Sequence, residues 1–124
     1  MPNSKPDFSN LKALFVNCTL KNSPRKSHTR TLIDVSMNIM DKEGVDAKCI
    51  RLSDHDVAYG VYPDMTEHGA DKDDWPEIWK DVEAANILII GTPIWLGEKS
   101  SVATKLIERL YAMSGFQNDK GQYR

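Results

Sequence analysis

Residues 86–92, NILIIGT, decide the fold class, because four large apolar side chains follow one another directly within this run. A nearly continuous apolar run of this length is typical of a parallel strand that is covered on both faces. A strand with one face in water would instead alternate apolar and polar residues. The run therefore predicts an α/β fold with a parallel sheet.

Amphipathic helices are predicted on either side of this strand. Upstream, Asp74 can cap a helix whose first turn tolerates Pro76. Downstream, Ser100 or Ser101 begins a helix that Gly115 ends. The predicted apolar faces are Trp75, Ile78, Trp79, Val82 and Ala85 in the first of these helices, and Val102, Ala103, Leu106, Ile107, Leu110 and Met113 in the second.

The N-terminal half repeats the order of strand and helix. Residues 12–18 (KALFVNC) predict a strand, and a helix follows from Thr29, with Ser27 or His28 near its N-cap. Residues 46–52 (DAKCIRL) predict a second short strand. Three strands that alternate with three helices are most simply joined as parallel strands with right-handed crossovers. The apolar positions of the first helix are Leu32, Ile33, Met37, Ile39 and Met40, with Ser36 among them.

Length and composition exclude several classes of protein. The chain has 124 residues, of which 40% are hydrophobic and 27% charged, and its formal net charge is -2. These values disfavour a disordered chain and a basic nucleic-acid-binding domain. Two cysteines are too few for the disulfide framework of a small secreted protein. No signal peptide or membrane-spanning run is apparent, so we expect a cytoplasmic protein that binds neither membrane nor nucleic acid.

Residues 19–29, TLKNSPRKSHT, which we call the first loop, combine hydroxyl groups with positive charge at the end of a strand. Ligands of open α/β sheets bind beyond the carboxyl ends of the strands. Free N–H groups in the first turn of a helix favour an anion there, and a phosphate is the one we expect. The alternative is a capped helix with solvated lysines. The hydroxyl and cationic residues are Thr19, Lys21, Ser23, Arg25, Lys26, Ser27 and Thr29.

Neither GxGxxG nor GxxxxGK[ST] occurs in the first loop, which disfavours a dinucleotide-binding fingerprint and a nucleotide-hydrolysing loop. Residues 93–99, PIWLGEK, which we call the second loop, lie at the same edge of the predicted sheet. There Trp95 can stack on a planar ligand, a contact worth about 0.5 to 1.5 kcal/mol beyond burial. The alternative is a tryptophan that covers the core.

A cysteine nucleophile is a competing hypothesis. Cys18 ends the first strand and precedes Arg25, as in low-molecular-weight tyrosine phosphatases, but six residues separate the two where those enzymes have five. A buried structural cysteine is the default interpretation. The acidic segment 53–74, which contains His55 and His68, matches no metal-ligand spacing, so we predict a solvated loop and no metal site.

The first loop, the phrase DDWPEIWKDVEAANILIIGTPIWLGEKSS (residues 73–101) and the helix after it resemble the flavodoxin-like NAD(P)H-dependent FMN reductase family. The resemblance covers residues 12–113, and GTPIWLGEKSS is its most specific part. It implies a flavodoxin-like doubly wound parallel sheet that binds FMN, with the phosphate in the first loop and the ring against the second. The implied cofactor-binding residues are Thr19, Lys21, Ser23, Ser27, Thr29, Pro93, Ile94, Trp95 and Gly97.

The resemblance also implies a reaction. Hydride would pass from NAD(P)H to FMN and on to an unidentified acceptor, with alignment rather than an acid or base catalyst supplied by the protein. A flavodoxin-type single-electron carrier is the main alternative, and a Cys18-dependent phosphatase is a lesser one. Family members commonly pair, so a homo-oligomer is expected.

Only three βα units are apparent, whereas a flavodoxin-like sheet has five strands in the order 2-1-3-4-5. We therefore predict a single flavodoxin-like domain across residues 1–124 that is incomplete at its C-terminus. Either the chain is part of a longer reductase or another chain covers the third strand, which would otherwise be an exposed apolar edge.

Overall fold

The computed structural model describes residues 7–115, which form a parallel sheet between helices. The prediction of three βα units is confirmed. The three strands are in the order β2-β1-β3, which is the order of the first three strands of a doubly wound sheet. In chain order the elements are β1 (Lys12–Asn17), α1 (His28–Lys42), β2 (Asp46–Arg51), α2 (Trp75–Ala84), β3 (Ile87–Gly91), β4 (Ile94–Trp95), β5 (Glu98–Lys99) and α3 (Ser101–Ala112).

The central strand β1 organises both layers of the core. Leu14 and Val16 pack with residues of α2 and α3 on one face, and Ala13 and Phe15 pack with Ile33 of α1 on the other. All four β1 side chains are buried, because β1 has a strand on each side and helices on both faces. The three βα units therefore share a single continuous sheet with a core on each side.

The expectation that the third strand is covered on both faces is wrong for the described residues. Leu88 and Ile90 of β3 are each 37% exposed. They lie on the face of Leu14 and Val16, since the register pairs these residues across the sheet. Within residues 7–115, no strand pairs with the outer side of β3, and the side chains of Leu88 and Ile90 are therefore only partly covered.

Two helix predictions also need correction. Leu32 and Ile39 of α1, placed on the apolar face by their spacing, are exposed because they lie away from the sheet, whereas Ile33 is buried against it. Helix α3 ends at Ala112, before Gly115, and the N–H of Met113 bonds the Leu110 carbonyl in the last turn. Among the described residues, no helix has both the length and the apolar composition to cross a membrane.

The segment between β2 and α2 is more ordered than a solvated acidic loop. It contains two short 3-10 helices, Leu52–Asp54 and Met65–His68. Asp73, whose side chain is fully buried, forms an ion pair of 2.7 Å with the equally buried Arg109 of α3. The Asp73 carboxylate also accepts hydrogen bonds from three backbone N–H groups, those of Ala58, Met65 and Trp75. This buried acid fastens the segment to α3.

The cap of α2 differs from the prediction for a related reason. Asp74 occupies the N-cap position but its side chain makes no capping bond within the helix. The Asp74 carboxylate instead accepts the N–H of Asp56 at 2.7 Å. The Trp75 N–H bonds Asp73, so the adjacent acid supplies the capping group.

Candidate functional site

The first and second loops meet in a cavity of about 400 Å³ at the carboxyl ends of β1 and β3. This volume lies within the range of small-molecule pockets. The first turn of α1 forms one wall and the start of the second loop the other. The lining residues are Thr19, Leu20, Lys21, Ser27, His28, Thr29, Pro93 and Trp95.

The register of the sheet explains why two segments distant in sequence converge here. Asn17 pairs with Gly91, and the Cys18 N–H donates to the Gly91 carbonyl at 2.7 Å, so both loops leave the sheet at the same level. A Cβ atom on Gly91 would lie 2.8 Å from Ile33 Cδ1 and 3.0 Å from Thr29 Cγ2. Glycine at this position thus lets the first turn of α1 pack close to the end of β3.

Asn17, which sequence reasoning missed, connects the two ends of the first loop. Its side chain is fully buried, accepts the Thr19 N–H at 3.1 Å and donates to the Ser27 hydroxyl at 3.3 Å. The available signal was a polar amide at the end of an otherwise apolar strand, because a buried amide needs partners. Asn17 thereby closes the loop over the end of β1.

Ser27 is the N-cap of α1, which decides between the two predicted caps. Its hydroxyl accepts the Arg30 N–H at 3.1 Å and its side chain is buried. Because α1 begins at His28, the N–H groups of His28 and Thr29 have no acceptor within the helix. Two donors at the positive end of a 15-residue helix are therefore available beside the cavity.

The other predicted residues of the first loop have different surroundings. Lys21 lines the cavity, and its Nζ donates to the Lys26 carbonyl at 3.2 Å. The Thr19 hydroxyl accepts the Lys21 N–H at 3.3 Å. Ser23 does not line the cavity, because both its N–H and its hydroxyl donate to the Asp54 carboxylate.

The second loop is a two-stranded hairpin in which β4 pairs antiparallel with β5. Leu96 and Gly97 form its turn with φ values of 53° and 75°. Trp95 lines the cavity and is 51% exposed, so its ring does not simply cover the core. Ile94 and Gly97, also predicted to contact a ligand, are absent from the cavity lining, whereas Pro93 is part of it.

Ser100 links the starting points of both loops, a role that its prediction as a helix start did not include. It is buried, caps α3 by accepting the Ala103 N–H at 3.1 Å, and donates its hydroxyl to the Cys18 carbonyl at 2.8 Å. Its N–H donates to the Thr92 hydroxyl at 3.0 Å. The N-terminus of α3 is therefore fastened to the ends of β1 and β3 together.

Cys18 is a buried structural residue. Its side chain is fully enclosed and its Sγ lies 3.9 Å from the Val16 carbonyl. Burial raises the pKa of the Cys18 thiol to about 12. A thiol with this pKa is protonated at neutral pH and is a weak nucleophile, which speaks against the phosphatase alternative.

A three-stranded parallel sheet with helices on both faces, whose strand ends carry the N-terminus of a long helix and a second, aromatic loop around one cavity, defines an α/β protein of the doubly wound class. The sequence model of the NADPH-dependent FMN reductase family matches residues 12–122. The chain belongs to this family, as the resemblance predicted.

The solved structure of RosB with bound 8-demethyl-8-formylriboflavin-5′-phosphate superposes with a TM-score of 0.79 at 35% identity, over 90% of this chain and 46% of RosB. The flavodoxin-like fold is thereby confirmed. The 8-demethyl-8-aminoriboflavin-5′-phosphate synthase of Streptomyces davaonensis is 35% identical over 91% of this chain and 46% of its own length. An iron-sulfur flavoprotein of Archaeoglobus fulgidus is 29% identical over 80% and 48%, respectively.

A further relative differs in kind. The divalent metal cation transporter MntH of Mycobacterium bovis is 52% identical over 95% of this chain, but the match covers 17% of that protein. The chain thus spans less than half the length of each of these three relatives. The activities in the names of these longer proteins are therefore properties of those proteins.

Proposed function

We propose that the chain binds FMN in the 400 Å³ cavity and is part of an oxidoreductase. This enzyme would pass hydride from NAD(P)H to the flavin and from the flavin to an acceptor. The observation behind this proposal is the meeting of the Ser27-capped N-terminus of α1 with the ring of Trp95 in one cavity. One wall suits a phosphate and the other a flat ring.

The residues of the first loop fit a phosphate dianion. The His28 and Thr29 N–H groups point to an anion site by their place in the first turn, and the positive end of the helix dipole adds a favourable field. Lys21 contributes a cation to the lining, and the hydroxyls of Thr19 and Thr29 contribute further donors. Among the described residues, no carboxylate lines this wall of the cavity.

The second loop suits the rest of the ligand. Trp95 offers an indole face at the cavity, and offset stacking on a planar ring contributes about 0.5 to 1.5 kcal/mol beyond burial. Bound FMN supplies the hydride chemistry. The chain's own residues orient the flavin and limit access of water, and no acid or base among them is assigned a proton transfer.

A second candidate is that a flavin phosphate is substrate rather than cofactor. RosB, which is 35% identical to this chain in a match that covers 90% of the chain, has been solved with a bound flavin phosphate described as an intermediate. Mass analysis separates the two when FMN is incubated with the chain, molecular oxygen as oxidant and an amino donor, the co-reactants that 8-formyl and 8-amino products require. A cofactor is recovered unchanged, whereas a substrate is recovered with a changed mass.

The test is a titration of the chain with FMN and, separately, with riboflavin, followed by flavin fluorescence. We expect FMN to bind more tightly, because riboflavin lacks the phosphate. Thr29→Val should weaken the binding of FMN but not that of riboflavin. Thr31→Val, on the same helix but outside the cavity lining, should change the affinity for neither flavin. Equal affinity for the two flavins would refute the phosphate site, and absence of binding would refute the whole proposal.

Oxidation of NADH and of NADPH by the FMN-loaded chain tests whether hydride passes from the nicotinamide to the flavin. Turnover with either nucleotide supports hydride transfer. Stable FMN binding without turnover would favour the single-electron carrier.

A further inference from the structure

We propose that residues 51–54 (RLSD), the last residue of β2 and the 3-10 helix after it, are a positioning segment that holds the first loop in its phosphate-binding shape. The inference rests on the proposed FMN site. It assigns roles to Arg51, Ser53 and Asp54, none of which lines the cavity.

Arg51 joins the two arms of the first loop, which are residues 19–22 before its tip and residues 25–29 after it. Its Nη1 donates to the Arg25 carbonyl at 2.7 Å and to the Lys21 carbonyl at 3.3 Å. Ser53 adds a second bond to the Lys21 carbonyl, at 2.8 Å from its hydroxyl. Both arms are therefore fixed to the end of a strand rather than to each other alone.

Asp54 fixes the tip of the loop. Its carboxylate accepts the Ser23 N–H at 2.7 Å and the Ser23 hydroxyl at 2.5 Å, one on each oxygen. These two bonds lower the pKa of Asp54, which keeps the carboxylate ionised at neutral pH. Ser23, predicted from sequence to contact FMN, has both of its donors engaged in this contact.

Whether removal of Asp54 weakens or tightens FMN binding distinguishes a positioning role from a direct effect of its negative charge on the phosphate. Asp54 is negatively charged, so by charge alone it would weaken the binding of a phosphate, and its removal would tighten binding. If Asp54 positions the loop, its removal weakens binding, because the loop must then be ordered at the expense of affinity. Arg51→Lys makes the complementary test, since it keeps the charge but loses the guanidinium that bridges two carbonyls.

The experiment compares Asp54→Ala and Arg51→Lys with the wild-type chain in two measurements. The first is hydrogen exchange of the peptides covering residues 19–27 without any flavin. The second is the dissociation constant for FMN, with riboflavin as the ligand that lacks a phosphate. Asp56→Asn is the matched control, because Asp56 lies two residues beyond this segment and its carboxylate pairs with Lys72, not with the first loop.

We expect faster exchange in residues 19–27 and about five- to tenfold weaker FMN binding in both variants, with little change for riboflavin or in the control. Unchanged exchange, or tighter FMN binding by Asp54→Ala, would overturn the proposal. Faster exchange in a chain whose wild type binds no FMN would refute the proposed function while supporting the loop-ordering role, so the two failures are distinguishable.

Discussion

The two loops that form the cavity are stabilised in different ways. The first loop is bonded to groups outside it, namely Asn17 and Arg51 at the ends of β1 and β2, and Ser53 and Asp54 in the 3-10 helix that follows β2. The second loop pairs mainly with itself as a hairpin, and its Leu96 is fully exposed at the turn. The wall formed by the first loop is thus built by tertiary contacts, whereas the wall formed by the second loop is a local structure.

This difference in stabilisation suggests that the two loops contribute to ligand binding in different ways. A phosphate needs donors in fixed positions, which favours a pre-organised loop, while a flat ring can be met by a more adaptable surface. Substitutions in or beneath the first loop should therefore affect folding and binding together. Substitutions of second-loop side chains that line the cavity should affect binding with little effect on folding.

Ser100→Ala should have the largest effect, because it acts on both loops. It removes the cap of α3 and leaves the buried Cys18 carbonyl without its hydroxyl donor. We expect a loss of about 2 to 4 kcal/mol in the free energy of unfolding, measured by urea denaturation. Ser101→Ala is the control, since Ser101 is exposed. An equal effect of the two variants would contradict the role of Ser100 as the common anchor.

Gly91→Ala tests the close approach of α1 to β3. The added methyl group would meet Ile33 and Thr29 within about 3 Å. Overpacking of this kind costs about 1 to 3 kcal/mol, and the displaced first turn of α1 should also weaken FMN binding. Gly115→Ala, where a Cβ meets no atom within 4 Å, is the matched control. Unchanged stability and FMN affinity in Gly91→Ala would show that this packing does not position the helix.

The buried thiol below the first loop makes stability depend on alkaline pH. Cys18 has its pKa raised to about 12, so above its ordinary pKa of 9.0 the thiol ionises in the unfolded chain but not in the folded one. This contribution to stability is complete below pH 9.0 and is lost as the pH rises towards 12. The Cys18 contribution to urea titrations at pH 8 to about 10.5 should be a decline of up to about 1.4 kcal/mol per pH unit. The decline should be smaller in Cys18→Ala, where burial of Cys49 also raises a thiol pKa. An equal decline in that variant would assign it to other groups.

Leu96→Asn should strengthen the second loop. Leu96 has φ of 53°, a left-handed conformation that a leucine adopts at a cost of roughly 1 kcal/mol and that asparagine tolerates. The Asn-Gly pair is the preferred sequence for such a two-residue turn. We expect a gain of about 0.5 to 1 kcal/mol in thermal unfolding experiments, and a loss of stability would contradict the turn geometry.

Trp95→Ala should have the smallest effect on folding. The indole is half-exposed, so the free energy of unfolding should change by about 0.5 kcal/mol or less. The affinity for both FMN and riboflavin should fall, because the ring contact is common to them. A large loss of stability would show that Trp95 belongs to the core and would remove the contrast between the two loops.

The sequence predicted the sheet and the convergence of the two loops well, because the underlying signals are local. Continuous apolar runs specify β1 and β3, and serines at fixed positions, Ser27 and Ser100, cap α1 and α3. The convergence of residues 19–29 and 93–95 followed from parallel strands ending at one edge. The roles of individual residues as FMN ligands stay predictions.

The tertiary contacts could not be predicted in the same way. Asp54 lies 31 residues from Ser23, and no local pattern connects an exposed aspartate with the tip of a distant loop. The Asp73–Arg109 pair is similar, because a single acid in an acidic segment looks solvated until the fold buries it against α3. The exposure of Leu32 and Ile39 was missed because helical spacing alone does not specify which side of α1 meets the sheet.

The outer edge of β3 has a practical consequence for handling this chain. In residues 7–115 its backbone N–H and C=O groups on that side have no strand partner, and the side chains of Leu88 and Ile90 are partly in water. Edges of this kind recruit strands from neighbouring molecules. Concentrated samples are therefore expected to self-associate, and dilute solutions are the appropriate condition for measuring flavin affinity.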